Sequence, residues 1–422
     1  MQVLLLAPGS RGDVAPAARI GADLSAEGHS VTIVAHADFA DAVSDAGCRH
    51  AAFQEPMEPA VLPTNAAAGV RTHLAQLRRY MQAGAEAALG ASAGAEVVLT
   101  NPIAPYGHDI AEALGAPSAE THLQPAPPSR EYPPMTASAL RLGGLGNLLA
   151  GRLAGRMPAP YDPAVDWVRS ELGLPREPRR TAQRRRLRAG MPLHHGISEV
   201  LLPRPRDWPA QATMDGCWWP LVPRDWAPPQ ELSRFLEAGP APVLVTLGSV
   251  AVGAQAAQAI AAAVSREPQR FVLQGSGWDR LLGSDLLRTE EDRVCVAGDV
   301  PHEWLLPRVS AVVHQAGAGV TAASLRAGVP SVPVPLHTDQ HFWARRLITL
   351  GAAGETLRAR SMSPDVVVRA LAHLRSDASF RLRAEAGARL LENAERAAAA
   401  QTSSGQAPGT ARIREWVHGL DG

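Results

Sequence analysis

The chain has 422 residues, with 41 Lys+Arg against 41 Asp+Glu and 46% hydrophobic residues. This length predicts two or three domains with enough chain to bury sizeable cores, and a net charge of zero argues against a general nucleic-acid binder. Lysine is absent, so every one of these cations is arginine, which excludes a Walker A phosphate loop, a Schiff-base lysine and a lysine general base.

Apolar runs at the start of the chain predict a β-α-β unit. Val3–Ala7 and Val31–Ala35 have the composition of buried parallel strands, and the Ala-rich stretch from Val14 to Glu27 indicates the helix between them. Another buried strand is predicted to end with the residues Val97–Thr100. From about residue 124 to residue 190, prolines and glycines predict loops and short helices in place of regular sheet.

Five short β-type runs follow, separated by Ala- and Leu-rich helical patterns: Val243–Leu247, Phe271–Gln274, Val294–Val296, Ala311–His314 and Ser331–Val334. Repeated alternation of strand and helix implies a parallel sheet covered on both faces. We therefore predict an α/β protein with two doubly wound lobes that face each other across a cleft and join near residues 203–229. The predicted boundaries are 1–215 for the N-terminal lobe, 216–400 for the C-terminal lobe and 401–422 for a helical tail.

Cysteine usage and the absence of long apolar runs predict the compartment. Cys48, Cys217 and Cys295 are far apart in sequence, form no metal-type pair and, being odd in number, are poor material for a disulfide framework. The apolar start Met1–Pro8 lacks a cationic region, and no apolar run is long enough to span a bilayer. We expect a cytoplasmic protein without integral membrane association.

The most informative motif is the glycine-rich stretch His314–Thr321, which follows a strand and precedes a helix. Glycines at such a turn let backbone amides approach a phosphate, and the helix N-terminus adds partial positive charge. The alternative is an ordinary turn with a histidine at its edge. The spacing from Gly317 through Gly319 to Ala322 also satisfies a relaxed dinucleotide fingerprint, but that fingerprint belongs to the first strand-helix turn of a domain, and several strands precede this one.

Two acidic residues stand where parallel sheets bind ligands. Asp339 and Gln340 follow a predicted strand and suit the hydroxyls of a sugar, although Asp339 could equally serve as an N-cap. Asp13 begins the first predicted helix, where the helix dipole would keep it ionised and able to accept a proton. Capping is the alternative for Asp13 as well.

Taken together, the chain resembles the GT-B glycosyltransferases of the bacterial natural-product type, closest to those that glycosylate glycopeptide aglycones and to the sterol glucosyltransferases. The resemblance rests on these segments, in order along the chain: Gly9–Val14, Pro203–Pro209, Pro228–Pro229, Leu247–Ser249, Gly298–His302, His314–Thr321, Ala327–Pro330 and Asp339–Ala344. Their order across both predicted lobes makes coincidence improbable.

The resemblance implies a metal-independent, inverting transfer that needs no cofactor beyond a UDP- or TDP-linked sugar. This co-substrate would bind the C-terminal lobe, and a small-molecule aglycone acceptor would bind the N-terminal lobe. Asp13 would deprotonate the acceptor hydroxyl, His314 would hold the diphosphate, and Ser10, Arg11 and His73 would lie on the acceptor side. The implied donor-binding residues are Ser249, Trp278, Val300, His314, Gly317, Ala318, Gly319, Val320, Asp339 and Gln340.

The glycine-rich turn departs from the pattern of this family, which commonly has His-x-Gly-Gly-Ala-Gly-Thr. Here Ala316 replaces the first glycine and Val320 replaces the threonine, so the phosphate would meet the amide of residue 320 but no hydroxyl. Three other functions stay open: a sugar-nucleotide epimerase, an NAD(P)-dependent oxidoreductase and, because of the altered turn, a catalytically weak auxiliary member of the family. We expect a monomer or homodimer without a nucleic-acid partner, and we interpret Arg176–Arg188 as a solvated helix or an acceptor-side surface.

Overall fold

A computed structural model of the protein describes residues 1–55, 66–247, 254–275, 278–282, 290–336, 338–400 and 407–420. Over these residues the chain forms two parallel sheets with helices on their faces, as predicted. The N-terminal sheet has the order β3-β2-β1-β4-β5-β6-β7, and the C-terminal sheet has the order β10-β9-β8-β11-β12. Their strands are β1 Gln2–Leu6, β2 Ser30–His36, β3 Arg49–Phe53, β4 Val97–Thr100, β5 Ser118–His122, β6 Leu193–His195, β7 Ala212–Met214, β8 Val243–Thr246, β9 Phe271–Gln274, β10 Val294–Ala297, β11 Ala311–His314 and β12 Ser331–Pro333.

The helices connect these strands and close both lobes. In chain order they are α1 Arg11–Ala26, α2 Ala40–Asp45, α3 Ala66–Gly90, α4 Tyr106–Leu114, α5 Gly143–Ala154, α6 Asp162–Glu171, α7 Arg179–Arg188, α8 Gln230–Glu237, α9 Ala254–Arg266, α10 Trp278–Leu282, α11 His302–Leu305, α12 Ala318–Arg326, α13 Gln340–Thr349, α14 Pro364–Ser376, α15 Ser379–Ala399 and α16 Ala411–His418. Every helix of the described residues is too short or too polar to cross a bilayer. The first helix begins at Arg11, three residues before its predicted start, and the proline-rich region from 124 to 190 contains α5, α6 and α7 but no strand.

The two lobes share an apolar cluster. Tyr132 and Trp208 from the N-terminal lobe pack in one buried cluster with Phe342 and Trp343 from the C-terminal lobe, and the Tyr132 and Phe342 rings lie 5.8 Å apart, edge to face. The Arg346 guanidinium also donates to the carbonyl of Leu201 at 2.6 Å. The lobes are therefore held together by packing as well as by the connecting chain.

The last described helix, α16, packs on the N-terminal lobe. The sequence alone did not indicate which lobe it would contact. Ile413 and Val417 of α16 are fully buried in the same cluster as the residues of β1 and α1. Arg414 pairs with Glu27 at the end of α1, where Nη1 and Oε1 are 2.5 Å apart. The predicted boundary at 215–216 falls just after β7, whereas part of the predicted tail completes the N-terminal core.

The arginine-rich run Arg176–Arg188 contributes ion pairs to the packing of the N-terminal lobe. Arg185 and Arg186 of α7 both pair with Glu112 of α4, and Arg186 also pairs with buried Asp109 at 2.6 Å. Arg169 of α6 reaches the same Asp109 oxygen at 2.6 Å. These pairs use part of the positive charge of the run to fasten α4, α6 and α7 together.

Candidate active site

Asp13 is fixed at the start of α1 by three hydrogen bonds. It is the third residue of the helix, and its Oδ2 accepts the backbone N–H of the N-cap residue Ser10 at 2.9 Å and the Ser10 hydroxyl at 3.2 Å. Its Oδ1 accepts from Asn101 Nδ2 at 3.0 Å. A Cβ at Gly9 would lie 2.2 Å from Asp13 Oδ2, so only glycine fits the turn beside the carboxylate. The capping interpretation and a chemical one are therefore compatible, because Ser10 binds one oxygen and Asn101 the other.

The environment of Asp13 shifts its pKa upward. Burial raises the pKa above the ordinary 3.8, although the hydrogen bonds from Asn101 and Ser10 oppose the shift. The helix dipole favours the ionised carboxylate and therefore acts in the opposite direction to burial. A carboxylate with a raised pKa is a stronger base than a solvated one.

His314 stands at the carboxyl end of β11 and is fully buried. Its Nδ1 accepts the backbone N–H of Ala316 at 3.0 Å, which leaves the ring proton on Nε2. Among the described residues, Nε2 has no hydrogen-bond partner. Burial, with a smaller contribution from nearby His302, lowers the pKa of His314 to about 3. His314 therefore presents a neutral N–H donor for which the described residues provide no acceptor.

The turn after His314 leads into an uncapped helix. Ala316 has a φ of 61°, in the left-handed region that favours glycine, and its side chain is fully buried. Gly317 is the N-cap of α12, and no side chain of the described residues caps this helix. The first intrahelical bond runs from Thr321 N–H to the Gly317 carbonyl, so the three preceding amides have no partner within the helix. These amides belong to Ala318, Gly319 and Val320.

Val320 and Ala316 take part in packing at this turn. The Val320 side chain is only 6% exposed, so it fills space inside the lobe and does not point to solvent. Neither substitution removes a backbone amide from the start of α12.

Asp339 and Gln340 are both buried at the start of α13. Asp339 Oδ2 accepts from Trp343 Nε1 at 2.9 Å, and Oδ1 accepts from the Thr338 hydroxyl at 2.9 Å. Gln340 Oε1 accepts the backbone N–H of Leu336 at 2.7 Å. Asp339 is the N-cap residue of α13, as the alternative interpretation predicted, but its side chain makes no capping hydrogen bond and instead accepts from the indole one turn later.

A second polar group of the C-terminal lobe was not predicted. His302 Nε2 lies 3.1 Å from Gln274 Oε1, and Gln274 Nε2 donates to the carbonyl of Val300 at 2.8 Å. Trp278 Nε1 donates to the Gln274 carbonyl at 3.3 Å, but its ring is only 4% exposed and packs in the lobe core. Burial lowers the pKa of His302 to about 4, and nearby Arg11 adds to the shift. Gln274 thus connects Trp278 and Val300, two of the predicted donor-binding residues.

Contacts across the cleft bring the two halves of the site together. The Arg11 guanidinium, at the start of α1, forms an ion pair with Asp299, which precedes Val300 and α11. The Ser138 hydroxyl of the N-terminal lobe donates to the carbonyl of Thr338, the residue before Asp339. The N-terminus of α1, which carries Asp13, therefore faces the segment that carries His302 and borders His314.

Other predicted site residues are not joined to this group. His73 is half-buried on α3, and no hydrogen bond or ion pair of the described residues connects it to Asp13. Ser249 lies outside the described residues. The described part of the chain holds one group of three side chains that could bind a metal ion, Glu27, His29 and His418. It lies at the opposite end of α1, about 20 Å from Asp13 along the helix axis.

Three residues of this site were missed by sequence reasoning: Asn101, Gln274 and His302. Asn101 follows β4, Gln274 ends β9, and His302 begins α11 after β10. The available signal was a polar residue at the carboxyl end of a buried strand, which is where open α/β sheets place ligands.

The chain is similar in sequence to known proteins. Residues 283–401 match the family model described as the erythromycin biosynthesis protein CIII-like C-terminal domain. The O-mycaminosyltylonolide 6-deoxyallosyltransferase of Streptomyces fradiae is 31% identical over 403 residues, which cover 91% of this chain and 92% of that protein. The chain belongs to the family 1-like GT-B glycosyltransferases. The family predicted from its motifs is thereby confirmed.

A fungal relative in this family is much longer. The sterol 3-beta-glucosyltransferase of Candida albicans is 31% identical over 389 residues, which cover 87% of this chain but 25% of that protein. The chain therefore spans about a quarter of the length of this relative.

Solved structures confirm the predicted GT-B fold. The kitacinnamycin glycotransferase has a TM-score of 0.67 and 20% identity, with 99% of this chain and 98% of that chain covered. The calicheamicin glycosyltransferase has a TM-score of 0.65 at 20% identity, again with 99% and 98% covered. At this identity the similarity establishes the fold, and the reaction must be inferred from the residues of the site.

Proposed function

We propose that this protein transfers a sugar from a UDP- or TDP-sugar to a hydroxyl of a lipophilic small molecule, with inversion and without a metal ion. The observation that carries the proposal is that one lobe fixes a carboxylate, Asp13, by hydrogen bonds, while the other lobe holds a buried donor, His314, that has no partner in the described chain. Relatives support the substrate classes. One is named for a macrolide-type acceptor, one for sterols, and a spinosyn rhamnosyltransferase was solved in complex with thymidine diphosphate.

In the proposed reaction Asp13 is the base. Its carboxylate takes the proton of the acceptor hydroxyl while that oxygen attacks the anomeric carbon of the donor sugar. The bond between the anomeric carbon and the diphosphate oxygen breaks, and its electron pair leaves with the nucleoside diphosphate. Because attack comes from the face opposite the leaving group, the configuration at the anomeric carbon inverts.

The C-terminal lobe would receive the negative charge that develops on the leaving diphosphate. His314 Nε2–H and the amides at the start of α12, which have no partner within that helix, are donors that need no reorganisation when that charge appears. The pKa of His314, lowered to about 3, makes it a neutral donor at physiological pH. We propose that Asp339 and Gln340 bind sugar hydroxyls next to this anion site.

The test is a matrix of UDP- and TDP-sugars against hydroxylated lipophilic acceptors, analysed by mass spectrometry. We expect a product heavier than the acceptor by one sugar residue and an equal amount of nucleoside diphosphate, both dependent on acceptor and unaffected by EDTA. NMR of the product should show the inverted anomeric configuration.

Other outcomes would contradict the proposal. Conversion of the donor without acceptor would indicate an epimerase, and thermal stabilisation by NAD(P) but not by UDP or TDP would indicate an oxidoreductase. Nucleotide binding without transfer in any pair would indicate an auxiliary role, which the altered residues Ala316 and Val320 favour as the second candidate.

A further inference from the structure

Helix α5 exposes three of its four leucines and packs against the protein through a face that contains Asn147 and Gly151. Leu145, Leu149 and Leu153 are each 62% exposed. On the other side, Asn147 is buried and its Nδ2 donates to the Arg130 carbonyl at 3.0 Å. A Cβ at Gly151 would meet Pro128 Cβ at 3.0 Å, so this face already touches the protein closely.

The spacing of these residues makes two opposite faces. Leucines at positions i, i+4 and i+8 fall within an arc of about 80° on a helix of 3.6 residues per turn. Asn147 and Gly151 point to the other side of the same helix. A surface helix ordinarily buries its apolar stripe against the core. In α5 this arrangement is reversed, and Met157, 63% exposed, extends the apolar surface beyond the helix end.

The charge around this surface has one sign. Arg141, Arg152 and Arg156 are all exposed; Arg152 lies on α5 next to Leu153, and Arg141 and Arg156 lie just outside the two ends of the helix. Between Glu131 and Asp162 the sequence contains no aspartate or glutamate. The leucine stripe is therefore bordered by arginines that have no neighbouring carboxylate within this segment.

We propose that α5 binds the surface of an anionic phospholipid bilayer, with its leucines among the acyl chains and its arginines at the headgroups. An apolar face combined with cationic residues is the pattern of helices that lie in a membrane interface. At 12 residues, α5 is about 18 Å long and cannot span the hydrocarbon core.

The same surface is poorly suited to a second copy of the chain. Two copies that met through their leucine stripes would bring their arginines together without a carboxylate of this segment to pair with them. An anionic lipid surface supplies both the apolar phase and the negative charge. This proposal goes beyond the proposed transfer reaction and uses none of its residues.

Sedimentation with lipid vesicles tests the proposal on the full chain. We expect binding to phosphatidylcholine vesicles that contain phosphatidylglycerol, and at least ten-fold weaker binding to pure phosphatidylcholine or in high salt. The double variant L145Q/L149Q should bind at least ten-fold more weakly than the parent. The matched control is L382Q/L390Q, which replaces leucines of α15 that are 62% and 57% exposed and should bind as the parent does.

A separate variant keeps the proposal testable if the leucine substitutions disturb folding. R141Q/R152Q/R156Q leaves every leucine in place and should abolish the difference between anionic and neutral vesicles. The proposal is wrong if the parent fails to sediment with anionic vesicles in low salt, or if both double variants bind equally. It is also wrong if ultracentrifugation shows a dimer that L145Q/L149Q dissociates. Without vesicles, all variants should transfer sugar to a water-soluble acceptor at the same rate. A failure of the lipid-binding proposal can therefore be distinguished from a failure of the proposed transfer reaction.

Discussion

Asp13 and His314 occupy similar places in their lobes, one just beyond the carboxyl end of β1 and the other at the end of β11, but their surroundings differ. Both oxygens of Asp13 accept hydrogen bonds from its own lobe, from Ser10 and Asn101. His314 accepts one bond through Nδ1, and its Nε2 has no acceptor among the described residues. The proposed proton acceptor is thus fixed through both of its oxygens, whereas the proposed anion site holds a donor without an acceptor among the described residues.

The backbone shows the same contrast. Asp13 belongs to a helix start with an extended N-cap and a capping box, a favourable local arrangement. The turn after His314 instead contains Ala316 at a φ of 61°. In the Asp13 half of the site, the polar groups are hydrogen-bonded and the backbone is relaxed. In the His314 half, Ala316 has a strained backbone angle and His314 Nε2–H has no acceptor among the described residues. We therefore expect the two halves to respond differently to substitution.

Asp13→Asn should reduce turnover the most, by about 10²- to 10⁴-fold, because it removes the proposed general base while keeping a side chain of the same shape. Binding of UDP or TDP, measured by calorimetry, should stay unchanged, since the nucleotide would lie in the other lobe. Asp41→Asn, an exposed substitution on α2, is the control. Loss of nucleotide binding in Asp13→Asn would mean that the residue has only a structural role.

His314→Ala should reduce turnover by about 10²- to 10³-fold, the usual cost of losing one preorganised donor to a developing anion. His373→Ala, which replaces an exposed residue of α14 that contacts the Phe380 ring, is the control in the same lobe. Turnover within a few-fold of the parent would exclude the proposed role.

The protonation state of His314 gives a second measurement. With its pKa lowered to about 3, the ring is neutral at pH 6 and at pH 8. The ratio of TDP affinities between the parent and His314→Ala should therefore be constant over this range, and the titration of TDP itself cancels in the ratio. A ratio that falls as the pH rises would instead indicate a cationic histidine.

Asn101→Ala should reduce turnover by about ten- to hundred-fold, because a hydrogen bond to a charged group is lost. Asn101 acts as a positioning residue, and its hydrogen bond lowers the pKa of Asp13 against the effect of burial. Without it the pKa of Asp13 rises, so the acidic limb of the kcat/KM profile should move to higher pH. A loss of rate with an unmoved profile would contradict this link.

Ala316→Gly should leave the chemistry intact and stabilise the protein by about 1 kcal/mol, because glycine adopts a positive φ without steric cost. Ala323→Gly in the middle of α12 is the control and should destabilise the protein by about 0.5–1 kcal/mol. Urea unfolding curves of both variants measure the difference. Destabilisation by both substitutions would show that the turn carries no strain.

Sequence patterns predicted the strands with continuous apolar runs and missed those with buried polar residues. Ala311–His314 and Phe271–Gln274 were predicted with the bounds that the structure has. Strand β5 was missed because Glu120 looks exposed in the sequence. In the fold it is buried between His108 and His122, at 3.2 and 2.7 Å. Such pairing exists only in three dimensions, so burial could not be inferred from polarity.

The site divides in the same way. Asp13 and His314 were predicted because each sits in a recognisable motif at a strand-helix turn. Asn101 and Gln274 are single polar residues, and what they do follows from the partners that the fold brings to them. The positive φ of Ala316 was equally hidden, because a substitution in a motif shows which residue changed but not the backbone angle it must adopt.

The return of α16 to the N-terminal lobe affects how the protein is made. Ile413 and Val417 complete a core whose other members lie before residue 219. At about 5–20 residues per second, a ribosome needs roughly 10–40 s to proceed from β7 to α16. Throughout that time the apolar surface awaiting α16 is uncovered, so the N-terminal lobe is synthesised first but completed last. Chaperone binding to the nascent chain should therefore persist until α16 emerges.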